Sequence, residues 1–181
     1  MTKADNPHSV RLYDSIRKHA DEETAEKITH KMPLSKSADI EKKFAWAESI
    51  CADLESTFDE DTIREIRMEC ACGPTMGKRA KLKRIFQASS DLDDFVANVN
   101  KLNPGFTLEY AEDMLFLIYP CCYCPCVKRI DKPISKTWCY CTLGYTQKLF
   151  EHILDCKVDV ALIESVKAGG DLCKIQIRSN L

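Results

Sequence analysis

Residues 138–177 read WCYCTLGYTQKLFEHILDCKVDVALIESVKAGGDLCKIQI. Two periodicities meet in this stretch. Trp138, Thr142, Tyr145, Leu149 and Ile153 recur at spacings of three to four, the period of one helix face. Val158, Val160 and Leu162 then alternate, as do Cys173, Ile175 and Ile177, which is the period of half-buried strands. Gly169-Gly170-Asp171 supplies a turn between them. The stretch therefore predicts a helix starting near Ser135 or Thr137, followed by two strands.

Upstream, residues 106–110 and 114–119 read as two more strands, joined at Ala111-Glu112-Asp113 in a hairpin. The second, MLFLIY, is apolar on both faces and belongs inside a sheet. Residues 105–181 thus read as a β-β-α-β-β antiparallel-sheet unit. Residues 1–104 read as helices. Val10, Tyr13, Ile16 and Ala20 form one stripe, and Ile40, Phe44, Ala47, Cys51 and Leu54 form another, with Ser37 as its expected N-cap. Asp59 or Asp61 opens a third helix through Ile63, Ile66 and Arg67, which Gly73-Pro74 ends. A basic helix spans about 78–87, and Ser90 with Asp93 resembles a capping box for the helix that follows. The expected fold class is α+β, with a helical N-terminal region (residues 1–104) and a sheet region (residues 105–181) integrated as one domain.

The chain has 181 residues and a formal net charge of -2, with 45% hydrophobic and 30% charged residues. That apolar share builds a core and excludes wholesale disorder. Near-neutral charge argues against a nucleic-acid partner, and the helix-turn-helix pattern is absent. No apolar run approaches the roughly 18 residues that cross a bilayer, and the polar start lacks a signal-peptide apolar region. The expectation is a cytoplasmic protein with no membrane or nucleic-acid partner; a homodimer is left open.

Eleven cysteines are distributed unevenly. Residues 120–141, PCCYCPCVKRIDKPISKTWCYC, hold Cys121, Cys122, Cys124, Cys126, Cys139 and Cys141. Thiolates ligate zinc and iron–sulfur clusters, so these six are candidate metal ligands. Cys70 and Cys72, at the end of a helix, could complete a site from elsewhere in the fold. Zinc is favoured over an iron–sulfur cluster, because no familiar cluster spacing is present. Cys139 and Cys141 fall in the first turn of a helix, whose dipole favours thiolate. Nucleophilic chemistry also needs a base, and His152 lies about three turns away on the same helix. Cys51, on an apolar stripe, and Cys156, beside a strand, read as packing residues.

Other features carry less. Gly77-Lys78-Arg79 lacks the glycine and the Ser or Thr of a phosphate-binding loop. Lys78, Arg79, Lys81, Lys83 and Arg84 read as a solvated face that could also contact phosphate. Trp138, Tyr140 and Tyr145 are candidate walls of a ligand pocket, although core packing explains Trp138 and Tyr145 equally well. Glu164, closing a strand next to glycines, is a candidate ligand or general base.

The stretch from Trp138 onward resembles the C-terminal half of vinyl-reductase-type (4-vinyl reductase) domains. It is most similar to small bacterial proteins grouped with L-2-amino-thiazoline-4-carboxylic acid hydrolase. The resemblance rests on the Trp/Cys-rich helix start, Gly144-Tyr145, Glu164-Ser165, Gly169-Gly170 and Cys173, and covers about residues 105–178. It implies a ligand pocket between sheet and helices, and a zinc held by cysteines in related phenol-sensing regulators. Cys173 matches their last cysteine, so it joins the candidate metal ligands, while the cysteine position eight residues earlier is Ser165. The expected function is a small-molecule-binding domain with a cysteine-ligated metal. The alternatives are a metal-dependent hydrolase of a cyclic amide or thiazoline and a thiol-redox protein using Cys121 and Cys122.

Overall fold

The structure is a computed structural model and describes residues 6–179. The reading of the polar start falls partly on residues 1–5, outside the described residues. Seven α-helices and a four-stranded antiparallel sheet make the described fold α+β, as expected. The helices are α1 (Pro7–His19), α2 (Glu22–His30), α3 (Ile40–Thr57), α4 (Glu60–Glu69), α5 (Met76–Ala88), α6 (Leu92–Asn100) and α7 (Lys136–Leu154). The strands are β1 (Thr107–Ala111), β2 (Met114–Tyr119), β3 (Val158–Glu164) and β4 (Cys173–Ser179).

Aspartates set the helix starts. Asp21, Asp39, Asp59 and Asp91 each accept the backbone N–H three residues on, at 2.7–2.9 Å. A carboxylate there satisfies an orphan donor and opposes the positive end of the helix dipole. Asp39 therefore starts α3 in place of Ser37, which lies in the preceding turn. The box expected at Ser90 and Asp93 forms one residue later. Asp91 is the N-cap, and Asp94 accepts the Ser90 N–H at 3.1 Å.

The chain divides into two compact units that alternate along the sequence. The first comprises residues 6–71 with Tyr123–Cys141. In it α1 packs on α2 and α4, and α3 packs on α2 and α4. Leu12, Ile16, Trp46, Ile50, Leu54 and Ile66 are fully buried.

The second unit comprises Cys72–Cys122 with residues 142–179. Its strand order is β1-β2-β4-β3, so the apolar MLFLIY strand is interior. Glu112 and Asp113, at φ 53 and 59, make the two-residue left-handed turn that matches hairpin twist. Asn100 fastens α6 to β1, donating to the Leu108 carbonyl and accepting its N–H, both at 2.8 Å. Phe95, Leu108, Leu117, Leu143, Phe150, Ile153, Ile175 and Ile177 are fully buried in its core, as is the hydroxyl-bearing Thr146 of α7.

Candidate functional site: a guanidinium among thiols

The first unit encloses one side chain that an apolar core does not explain. Arg67 lies on the inner face of α4 with Ile63 and Ile66 and is 3% exposed. Its Nη2 donates to the Trp138 carbonyl at 2.9 Å, and its Cζ stands 4.2 Å from the Trp138 ring centroid. Trp46 packs edge-on against the same ring at 5.5 Å. Arg67 Nε is buried and has no hydrogen-bond partner among the described residues. A buried charge needs a compensating charge, and no carboxylate is paired with this one among the described residues.

Sulfur surrounds it instead. Burial opposes the guanidinium charge, but Cys141, Cys70, Cys51 and Cys124 act on it in the other direction, and the net effect raises its pKa. Cys51 comes from α3, Cys70 caps α4, Cys124 lies in the loop before α7, and Cys141 lies in α7.

These thiols are not alike. Cys126 donates its S–H to Cys124, which lowers the Cys124 pKa most and raises that of Cys126. Trp138 Nε1 donates to Cys124 Sγ at 3.4 Å, and the Cys126 N–H and the Arg67 charge act in the same direction. Burial opposes them and loses. Cys124 is thus held well below the ordinary thiol range, as a half-buried thiolate with three donors. Burial pushes Cys51 up to about 12, and Cys70 is also raised by burial while its Sγ donates to the Arg11 carbonyl. Arg11 Nε donates to the Cys70 carbonyl at 3.1 Å, and its Nη2 reaches His8 Nδ1 at 3.1 Å. Burial, then Arg11, Arg67 and Lys43, lower the His8 pKa to about 4.

The candidate metal ligands are distributed over both units. Cys70, Cys124, Cys126, Cys139 and Cys141 belong to the first. Cys72, Cys121, Cys122 and Cys173 belong to the second. Among the described residues no group of three His, Cys, Asp or Glu side chains is placed to hold a metal ion. This corrects the expectation of zinc and equally that of an iron–sulfur cluster. Part of the physical reason is that the candidate ligands are spread over both units, and the cation that Cys70, Cys124 and Cys141 act on is the Arg67 guanidinium, which would repel a second cation.

The candidate pocket residues also fall in both units. Trp138 is the donor to Cys124, and Tyr140 donates to Glu60 at 2.8 Å beside the Lys136–Glu60 ion pair. In the second unit Lys78 Nζ lies 5.8 Å from the Tyr145 ring and 4.8 Å from that of Phe106. Glu164 accepts the N–H groups of Asp171 and Leu172 at 2.7 and 3.2 Å.

The sequence reading missed Arg67 as a site residue. The signal was available: an arginine in register with Ile63, Ile66 and Cys70 sits on an apolar stripe, where an unpaired charge is costly. It also gave Cys51 to packing alone, whereas Cys51 is both buried and part of this cluster.

Fold and site together define an α+β protein whose first unit is organised around a guanidinium–thiolate cluster. The chain belongs to the family described as "Family of unknown function (DUF6144)", whose match spans residues 2–180. None of the curated proteins matches it. Solved structures similar to it include an NMR structure of a mutant H-NOX domain from Shewanella oneidensis in the Fe(II)CO ligation state. That pair has TM-score 0.48 and 14% identity, over 97% of this chain and 98% of that one. A crystal structure of an H-NOX protein from the same organism in the Fe(II)NO state gives TM-score 0.46 and 14% identity, over 97% and 99%.

Membership of this family overturns the resemblance to vinyl-reductase-type domains and to the thiazoline hydrolase group. The matching pieces have a local explanation. Glu164, Ser165, Gly169 and Gly170 build one turn, in which Gly170 N–H donates to the Ser165 carbonyl at 2.9 Å and Glu164 caps the next two residues. The metal-bearing binding domain and the hydrolase are withdrawn with that resemblance. The thiol-redox alternative at Cys121 and Cys122, which lie in the second unit, is withdrawn with them.

Among the described residues no helix is long and apolar enough to cross a membrane.

Proposed function

We propose that the first unit captures a small electrophilic molecule covalently, with Cys124 as the nucleophile. The observation that carries this reading is that the Cys126 S–H and the Trp138 indole N–H, the latter at 3.4 Å, both donate to one half-buried sulfur. A thiolate, not a thiol, attacks carbon, and here it exists without a separate base. Trp138 and Cys126 hold the sulfur by hydrogen bonds, and Arg67 balances its charge. Of the expected pocket residues, Trp138 takes part, as a donor to sulfur.

Alkylation by iodoacetamide, mapped by mass spectrometry across pH 5–9, tests it. Cys124 should react with a half-point well below the ~8.5 of an ordinary thiol. At pH 6.5 it should outpace Cys121, which is exposed to solvent. Trp138→Phe keeps the ring, removes the donor and should move the half-point up. A Cys124 rate at pH 6.5 no greater than that of Cys121 would sink the reading.

A further inference from the structure

We propose that the groove between α5 and α6 is a docking site for an acidic amphipathic helix of a partner protein. The groove lies in the second unit and does not depend on Cys124. A three-residue connection, residues 89–91, folds the two helices back on each other as a hairpin. Phe86 meets Phe95 edge-on at 5.4 Å, and Asn98 Nδ2 reaches Ser89 Oγ at 3.5 Å. A groove of about 400 Å³ opens along the hairpin, lined by Lys81, Arg84, Ile85, Ala88 and Asn98. The four α5 residues of that lining fall at i, i+3, i+4 and i+7, on one face of the helix. Lys81, Arg84 and Ala88 are exposed, so the described chain leaves this face uncovered.

Charge says what fits it. α5 carries five cations, Lys78, Arg79, Lys81, Lys83 and Arg84, and no acidic residue. Three of them are engaged within the unit. Lys83 pairs with Asp155, Lys78 lies over the Phe106 ring, and Arg79 Nη2 stands beside Gly73. Lys81 and Arg84 line the groove and have no ion pair among the described residues. Lys101, just past α6, also has none there, and its Nζ donates to Asn98 Oδ1 at 3.3 Å. The α6 carboxylates answer little of this charge. Asp91 caps the helix, and Asp94 accepts the Ser90 N–H at 3.1 Å and Asn98 Nδ2 at 3.0 Å. Asp93, five residues before Asn98, lies about 140° round the helix from it. Three cations therefore flank the groove against one nearby carboxylate, Asp94.

The floor is apolar, and Ala88 is small enough to let a side chain reach Ile85. A helix with an apolar stripe and acidic flanks matches both features, as a third helix laid against a hairpin of two. A lipid surface is taken by apolar side chains that project, whereas Ile85 is half-buried between exposed cations. Nucleic acid needs a broad basic field, and the net charge of this chain is -2.

The probe is a fluorescein-labelled synthetic helix of roughly five turns, with a leucine stripe flanked by glutamates. Anisotropy titration with the full chain should give a Kd on the order of 10 µM, about ten-fold tighter than for a scrambled peptide of the same composition. The same helix with lysine for glutamate should not bind. Lys81→Glu with Arg84→Glu should weaken binding about ten-fold. The same charge change at Lys27 and Lys128, exposed in the first unit, should leave it unchanged. Ala88→Trp, which fills the groove without altering charge, should also abolish binding, and circular dichroism checks that each variant is folded. Equal affinity for the acidic and scrambled peptides, or binding that survives both Ala88→Trp and the double charge reversal, would overturn the proposal. So would tighter binding to vesicles of anionic phospholipid or to duplex DNA than to the peptide. Self-association that Lys81→Glu with Arg84→Glu abolishes would overturn it too, since the occupant would then be a second copy of this chain.

Discussion

The centre of the second unit is apolar: Leu117, Ile175, Ile177, Phe95 and Phe150 are fully buried there, and its buried cation, Lys167, lies in the short helical turn after β3. The centre of the first holds a fully buried arginine, two tryptophans and several thiols. Cysteine occurs in both units, yet its chemistry differs. In the second unit Cys121 faces solvent, and Cys173 pairs across the sheet with Tyr119. In the first, the Cys126 S–H and the Trp138 indole, with a smaller part from Arg67, set Cys124 below the ordinary thiol range while burial pushes Cys51 and Cys70 above it. A cysteine's reactivity is set by its donors and charges rather than by how many cysteines share a loop.

The largest expected effects test whether the two centres are held by different physics. Leu117→Ala empties a fully buried apolar site and should cost about 3 kcal/mol at any pH. Arg67→Met keeps most of the volume, removes the charge, and should cost about 3 kcal/mol near pH 8. The distinction lies in pH. The Cys124 pKa is lowered by folding, so its contribution is fully present above the unfolded thiol pKa and is lost as pH falls through the folded value. The penalty of Arg67→Met should therefore shrink between pH 8 and pH 5, while that of Leu117→Ala stays flat. Urea unfolding of both variants at the two pH values measures it. Parallel pH curves would break the contrast.

His8 sharpens the same point from the cationic side. Its pKa falls from 6.5 to about 4 on folding, so between those values the unfolded chain holds a proton that the folded chain refuses. Stability should drop as pH falls from 6.5 to 4, by on the order of 2 kcal/mol, and level off below. His8→Gln should remove most of that drop. An unchanged pH profile in the variant would show that burial and the neighbouring cations do not hold His8 neutral in the folded chain.

Much of the scaffold was legible as period and punctuation. The α7 stripe from Trp138 to Ile153, the MLFLIY strand and the Asp-led helix starts follow from local rules. The choice of Asp39 over Ser37 was not legible, since both satisfy the cap rule and only the chain's path selects between them. The site was half-legible. Paired cysteines near a helix start pointed to thiolate chemistry, and Cys124 was among them. Their cation was assumed to be a metal because Arg67 lies some sixty residues away and looks like the polar edge of an amphipathic helix. Glu164, Ser165, Gly169 and Gly170 misled for the opposite reason: a turn with strict geometry repeats its residues in unrelated settings.

The smallest expected effect concerns that turn, in the second unit. A Cβ on Gly170 would stand 2.5 Å from Glu164 Cγ and 2.6 Å from its Oε1. Gly170→Ala should therefore displace the carboxylate from the N–H groups of Asp171 and Leu172 and cost about 1 kcal/mol. The obstacle is a side chain, so the cost depends on it. In a Glu164→Ala background the same glycine substitution should be nearly neutral, and a double-mutant cycle reads the coupling. Additive costs would mean that Glu164 is not committed to the turn, and its carboxylate would then be available to a ligand. Coupled costs would assign it to structure, leaving the first unit with the reactive side chain.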